Sequence, residues 1–289
     1  MKNTLTQYVT LCKPRVVALM ILTAWAGMYL ASSDTLPLSL WLSATAGITL
    51  MSTSAATINH IIDRHIDAVM HRTQHRPLPT GKLSTRAAWS FAILQGVLGF
   101  IILYFAVNPL TAMLTFFSGI GYAVVYTLYL KHATPQNIVI GGLAGAMPPL
   151  LGWTAVTGQM DAQGWLLALI IFTWTPAHFW ALSLHRYEDY RRATIPMLPV
   201  THGITFTKLN ILLYSLLTIA ASLLPFAIGM SGWLYLISAI LLDVGLIFYA
   251  IRLHFSKDPQ IALKTFRYSL VYLTVLFMMI LLDHYVALT

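Results

Sequence analysis

Nine runs of mostly apolar residues, at about 16–33, 38–58, 87–107, 110–130, 138–157, 165–184, 210–228, 233–253 and 267–286, fill most of this chain. Each is close to the ~20 residues that an α-helix needs to cross a bilayer core. In lipid a backbone must satisfy its own hydrogen bonds, so helices are the available answer for runs of this length. Only 9% of the 289 residues are charged and the mean hydropathy is +0.73, against about 25% charged in a soluble domain. The expectation is an all-α, polytopic membrane protein: a single domain over residues 1–289 with about nine transmembrane helices. The first run follows Lys13 and Arg15 and looks like a signal peptide, but the spans after it mark it as a retained helix. The one cysteine, Cys12, excludes an intramolecular disulfide and any CxxC site.

All 17 Lys and Arg residues fall on one side of this layout. Lys2, Lys13 and Arg15 precede the first run, and Arg64, Arg72, Arg76, Lys82 and Arg86 separate the second from the third. Lys131 follows the fourth, and the remainder flank runs six to nine. The opposite side carries Asp34, Asp161 and Asp283 with no basic residue. The positive-inside rule then sets the N-terminus and the long loops in the cytoplasm and the C-terminus outside. This accounts for the net charge of +8 without nucleic acid.

The longest polar stretch is NHIIDRHIDAVMHRTQHRPLPTG, residues 59–81. Asn59, Asp63 and Asp67 are spaced four and four, so on a helix their side chains line one stripe. Their oxygens are hard ligands suited to Mg²⁺ shared with a phosphate, and Arg64, Arg72, Arg76 and Lys82 supply the opposite charge. A merely solvated loop has no need of that spacing. His71 and His75 continue it and raise HxxxH zinc ligation, which the surrounding arginines disfavour. Two prolines and a glycine in RPLPTG stop a helix and turn Arg76 back towards the acids.

A second polar cluster reads WTPAHFWALSLHRYEDYRRATIPMLPV from Trp174. On a continuous helix Trp174, His178, His185 and Asp189 share a face, which suits a flat, mostly apolar acceptor, including one that contains iron. The alternative is an interfacial aromatic belt with helix-end ion pairs, Glu188 facing Arg192. A histidine as deep as His178 is costly there without a partner. Asp243 is the one acid in the middle of a span; it pairs with a polar neighbour or lines the cavity. Gly141, Gly145 and Pro148-Pro149 predict close packing and a bend in span five, and Pro225 a kink in span seven.

Asn59-x3-Asp63-x3-Asp67 resembles the first signature of the UbiA superfamily of intramembrane prenyltransferases. The runs DRHIDAVMHRTQHRPLPTG, HFWALSLHRYEDY and IPMLPV resemble its haem-modifying branch. Where many members carry a second DxxxD, this chain reads Arg186-Tyr187-Glu188-Asp189-Tyr190. The resemblance implies a UbiA-type bundle in a bacterial inner membrane and transfer of a farnesyl group from farnesyl diphosphate to a vinyl group of haem b. It implies Mg²⁺ held by Asn59, Asp63 and Asp67, with Asp63, Asp67, Arg72 and Arg76 catalytic. Asn59, Arg64, Arg72, Arg76, Lys82 and Arg186 would meet the diphosphate, and Trp174, His178, His185, Tyr187 and Asp189 the haem. It also implies a link to terminal oxidase biogenesis. The alternatives are a related enzyme acting on an aromatic or quinone precursor, and a haem transporter. A transporter would carry polar breaks near the midplane of several spans, whereas these charges crowd one interface.

Overall fold

A computed structural model describes residues 4–32 and 35–288, with side chains through residue 286. Lys2 and Asp34 lie outside the described residues. Every regular element among those described is a helix. A short α1 (Thr4–Leu11) meets α2 (Pro14–Leu30) at a 49° bend. Then come α3 (Leu38–Ile62), α4 (Arg64–Val69), α5 (Thr85–Ala106), α6 (Pro109–Ala133), α7 (Asn137–Thr157) and α8 (Ala162–His185). A short α9 (Tyr187–Arg192) precedes α10 (Leu198–Ala227), α11 (Trp233–Phe255) and α12 (Gln260–Leu288).

Helix boundaries follow local chemistry. The Ser84 hydroxyl accepts from Ala87 N–H at the start of α5, and Asn108 Oδ1 from Thr111 N–H at the start of α6, where Pro109 follows the cap. Both are N-cap arrangements. Asp283 of α12 does the same work across a helix boundary, accepting from Gly232 N–H and Tyr235 N–H at the head of α11.

Seven helices, α5 to α8 and α10 to α12, are long and apolar enough by themselves to cross a membrane. The bent α1–α2 pair makes an eighth when taken as one span. The expected count of about nine therefore stands as seven to eight by that criterion. The difference lies in α3, whose 25 residues cover roughly 37 Å but include many Ser and Thr. Their hydroxyls are satisfied internally: Thr49, Thr53 and Thr57 bond carbonyls one turn back, and Ser54 bonds Ala92 O of α5. Such back-bonding lets a polar-looking helix sit in an apolar bundle. Span seven begins at Leu198 rather than 210, because helix continues through a polar turn with one non-helical residue, Gly203. Pro225 lies inside α10 near its end.

The helices pack as a closed ring: α2 on α7, α7 on α8, α8 on α10, α10 on α11, α11 on α12, and α12 back on α2, with α3, α5 and α6 packed together beside them. Asp243 is resolved as an interhelix clasp, accepting from Tyr272 OH of α12 at 2.8 Å and meeting Ser222 Oγ of α10 at 3.0 Å. Span five is interrupted before Pro148 as expected. Gly141 packs against the Tyr126 ring, whereas Gly145 faces open space, so only the first is a packing glycine.

The tightest crossing joins α2 and α7. A Cβ on Gly152 would overlap the Ala24 carbonyl, and one on Gly27 the Pro149 carbonyl. Both obstacles are backbone, which cannot swing aside. Gly152→Ala should cost at least about 1–3 kcal/mol, the usual penalty of overpacking. Thermal unfolding in detergent should show a clear loss for Gly152→Ala and no change for Gly145→Ala.

Candidate active site

Asn59, Asp63 and Asp67 are buried at the basic end of the bundle. α3 ends at Ile62 and α4 starts at Arg64, with Asp63 at the joint (φ −75°, ψ −2°). The i→i−4 bonds nevertheless run through it, from Asp63 N–H to Asn59 O at 2.9 Å and from Asp67 N–H to Asp63 O at 2.8 Å. The three oxygen-bearing side chains thus keep one stripe despite the break.

Each member of the stripe is met by a cation. Arg76 Nη1 lies 2.7 Å from Asp67 Oδ2, because the turn after α4 winds back on itself. That turn is built in: Thr73 Oγ1 donates to Asp67 O, and Leu78 and Leu83 pack with Leu11, Ile61 and Ala88. Lys131 Nζ stands 2.8 Å from Asp63 Oδ1, an ion pair whose angle leaves that oxygen without a directed hydrogen bond. Lys13 Nζ donates to Asn59 Oδ1 at 2.6 Å and to Tyr122 OH at 3.0 Å. Asn59 Nδ2 in turn donates to Asp63 Oδ2 and to Thr127 Oγ1, both at 3.0 Å.

Residues 121–130 of α6 wind as a π-helix, a form that often marks functional sites. Its i→i+5 spacing aligns Tyr122 with Thr127, whose Oγ1 donates to Tyr122 O, and Lys131 follows four residues on. Reading the sequence at α-helical spacing misses this face, and with it Lys131, Tyr122 and Thr127, while Lys13 comes from the elbow before α2. One signal was available: Lys131 is the sole Lys or Arg between Arg86 and Arg186.

The remaining expected residues divide. Arg72 is exposed and lies within electrostatic range of Tyr126 and Tyr190. Arg186 also reaches Tyr190, and its Nε is buried without a hydrogen-bond partner. Burial raises the Tyr190 phenol pKa, against the opposing pull of Arg72, so this phenol stays a proton donor facing the arginines. Arg64 turns to the surface, where Nε donates to His65 Nε2 at 3.1 Å. Lys82 is exposed and makes no ion pair among the described residues. His71 and His75 are exposed, and no group of three His, Cys, Asp or Glu residues converges for a metal among the described residues.

The second cluster is not one helical face. α8 stops at His185, Arg186 is non-helical, and Asp189 sits on α9, so the residues after His185 leave the α8 face. His178 is sandwiched between Trp174 (4.2 Å between ring centroids) and Phe266 (4.5 Å). Its Nδ1 lies 2.7 Å from Ser269 Oγ, which donates its single proton to Phe266 O. With the Ser269 proton on Phe266 O, the imidazole donates from Nδ1 and Nε2 carries the lone pair. His185 and Tyr187 are half-buried, and Asp189 is buried with Oδ2 unpartnered. Glu188 pairs with Arg191 at 2.8 Å rather than with Arg192, since the short α9 favours the i,i+3 contact.

A buried stripe of two carboxylates and an amide, faced by two lysines and an arginine at one end of an apolar helical bundle, brings together hard oxygen ligands and positive charge, the chemistry that suits a metal-bound phosphate group. The UbiA prenyltransferase family pattern matches residues 19–280, and the chain belongs to that family. It is 58% identical over 278 residues to the protoheme IX farnesyltransferase of Legionella pneumophila (strain Paris), covering 96% of this chain and 95% of that one. The protein of the same name from Alcanivorax borkumensis is 54% identical, covering 98% and 94%. Among solved structures the fold resembles a digeranylgeranylglyceryl phosphate synthase (TM-score 0.80, 19% identity, 97% and 98% covered). It also resembles a UbiA homologue from Archaeoglobus fulgidus bound to DMAPP and Mg²⁺ (TM-score 0.65, 18% identity, 95% and 99% covered).

Proposed function

We propose that this protein transfers the farnesyl group of farnesyl diphosphate to a vinyl group of haem b, giving the hydroxyfarnesylated haem and diphosphate. The reading rests on the buried Asn59–Asp63–Asp67 stripe and its cations, in a chain so similar to proteins of that named activity.

The residues present fit a hard divalent cation. Asp63 and Asp67 offer carboxylate oxygens, Asn59 an amide oxygen, and Asp63 Oδ1 is buried without a directed hydrogen bond. Asn59, Asp63 and Asp67 would hold Mg²⁺, which supplies charge neutralisation on the diphosphate when bound. Lys13, Lys131 and Arg76, now resting on the stripe, exchange those partners for diphosphate oxygens, and Arg72 approaches from the exposed side. Together they stabilise the charge that grows on the leaving group as the allylic C–O bond breaks. The apolar helices keep water from the allylic cation until the vinyl carbon has attacked. Water then adds to the new cationic carbon beside the porphyrin and gives the hydroxyl, its proton passing to the released diphosphate. Haem b would lie towards the second cluster, with His185 and Tyr187 half-buried beside it and Trp174 and His178 deeper, against α12, while Asp189 belongs to the neighbouring α9. His178 Nε2 is the lone pair that the Ser269 network leaves available to iron.

The positions of all Lys and Arg residues support an inner-membrane protein with this site at the cytoplasmic face and the C-terminus outside. The product is a haem of the kind a terminal oxidase would take up.

The test is mass analysis of haem extracted after incubating purified protein with haem b, farnesyl diphosphate and Mg²⁺. A hydroxyfarnesyl-modified haem that vanishes on adding EDTA is the expected result. Unmodified haem from folded protein, together with prenylation of an aromatic acceptor, would move the assignment to another substrate of the same family.

A further inference from the structure

The bend between α1 and α2 forms an open depression of about 430 Å³ that the stripe does not explain. Thr6, Thr10, Lys13 and Arg15 line it together with Val9 and Val16. We infer that this elbow binds the phosphate headgroup of an anionic glycerophospholipid, and that Lys13 couples its occupancy to the diphosphate site. The coupling, though not the lipid site, rests on the function proposed above.

Lys13 Nζ rests on Asn59 and Tyr122 and Thr10 Oγ1 donates to Thr6 O, so the Arg15 guanidinium, with the Thr6 hydroxyl beside it, is the group on this rim that would meet a phosphate. The Arg15 side chain is exposed and makes no ion pair among the described residues. The other side of the depression is apolar: Val9 is 46% and Val16 57% exposed, and Leu5 of α1 is 69% exposed. Exposed aliphatic side chains on a membrane helix face acyl chains, so the elbow opens at the headgroup boundary rather than to bulk water. A soluble anion would use the cationic rim and leave the apolar side unmatched. A phospholipid uses both.

Lys13 makes the connection. Its backbone is left-handed (φ 49°, ψ 56°), a strained region for a residue with a Cβ. The following Pro14 disfavours the right-handed alternative. This conformation sets the backbone of Lys13 in the wall of the depression and its Nζ on Asn59 and Tyr122. A headgroup in the depression holds the elbow bent and the ammonium on the stripe. An empty depression lets the strain relax and draws Nζ away.

The experiment uses full-length protein in nanodiscs of phosphatidylcholine, with or without phosphatidylglycerol. Retained lipid is read by native mass spectrometry and the KM for farnesyl diphosphate by haem transfer. Phosphatidylglycerol should be retained and should lower KM by about 5-fold or more, the lower end of ordinary coupling between sites. Arg15→Gln should lose both effects while keeping the wild-type rate in phosphatidylcholine alone. Lys257→Gln, another exposed cation, should keep both. Retention and KM response unchanged in Arg15→Gln would overturn the proposal. So would their equal loss in Lys257→Gln, which would indicate general membrane charge. Inorganic phosphate reproducing the KM effect in phosphatidylcholine would replace the lipid by a soluble anion and also overturn it. Retention is read without turnover, so absence of transfer in every lipid bears on the proposed function and not on this site.

Discussion

Asp67→Asn should lower farnesyl transfer by about 10²–10³-fold, the loss typical when one preorganised electrostatic contact to a transition state is removed. The substitution keeps size and a hydrogen-bond acceptor for Arg76, so the turn of residues 70–83 should survive. Thr73 Oγ1 still meets Asp67 O, a backbone atom, and Leu78 and Leu83 remain packed. What disappears is one negative charge, and the neutral amide oxygen left in its place is a weaker ligand for the proposed divalent cation. The defect should lie mainly in kcat, because the cations that meet the diphosphate remain. It should also shift Mg²⁺ dependence to higher concentration. Near-normal turnover by folded Asp67→Asn at ordinary Mg²⁺ would remove the stripe from the mechanism. Asp67→Ala should be worse, because it also leaves the half-buried Arg76 guanidinium without its carboxylate.

The bundle was legible because length and apolarity fix a transmembrane helix with little help from tertiary context. The expected spans and the observed helices overlap throughout. They part where apolarity and helicity separate. α3 is helical but rich in hydroxyls that its own backbone satisfies, and α10 starts twelve residues before its apolar run. The first polar cluster was legible for a similar reason, since Asn59, Asp63 and Asp67 lie on one element and announce themselves by spacing. Their partners were not. Lys13 comes from the elbow before α2 and Lys131 from the far end of a π-helical stretch, contacts that span 46 and 68 residues. No local periodicity encodes those distances. The second cluster failed in the opposite direction: its i, i+7, i+11 pattern assumed a helix that ends at His185. Trp174 and His178 face α12 inside the bundle, and Asp189 belongs to α9. A pattern extended past an unseen helix end joins residues that the fold separates.

Lys131→Met tests whether the newly found cation belongs to the fold, to the chemistry, or to both. Lys131 and Asp63 are both buried and 2.8 Å apart. Deleting one member of such a pair strands the other charge, at a cost of roughly 3–5 kcal/mol. Lys131→Met alone should therefore unfold at markedly lower temperature in detergent and transfer little farnesyl. Asp63→Asn alone should also be destabilised, since it strands the ammonium. The double variant Lys131→Met/Asp63→Asn removes both charges and should recover most of the stability, as replacement of buried ion pairs by neutral groups commonly does. Activity should not return with it, because the proposed metal ligand and the proposed diphosphate cation are both gone. That split, stability restored and turnover absent, is what a catalytic pair predicts. A double variant that regains turnover along with stability would make the pair structural, and the cation on the leaving group would then have to come from Arg76, Arg72 and Lys13.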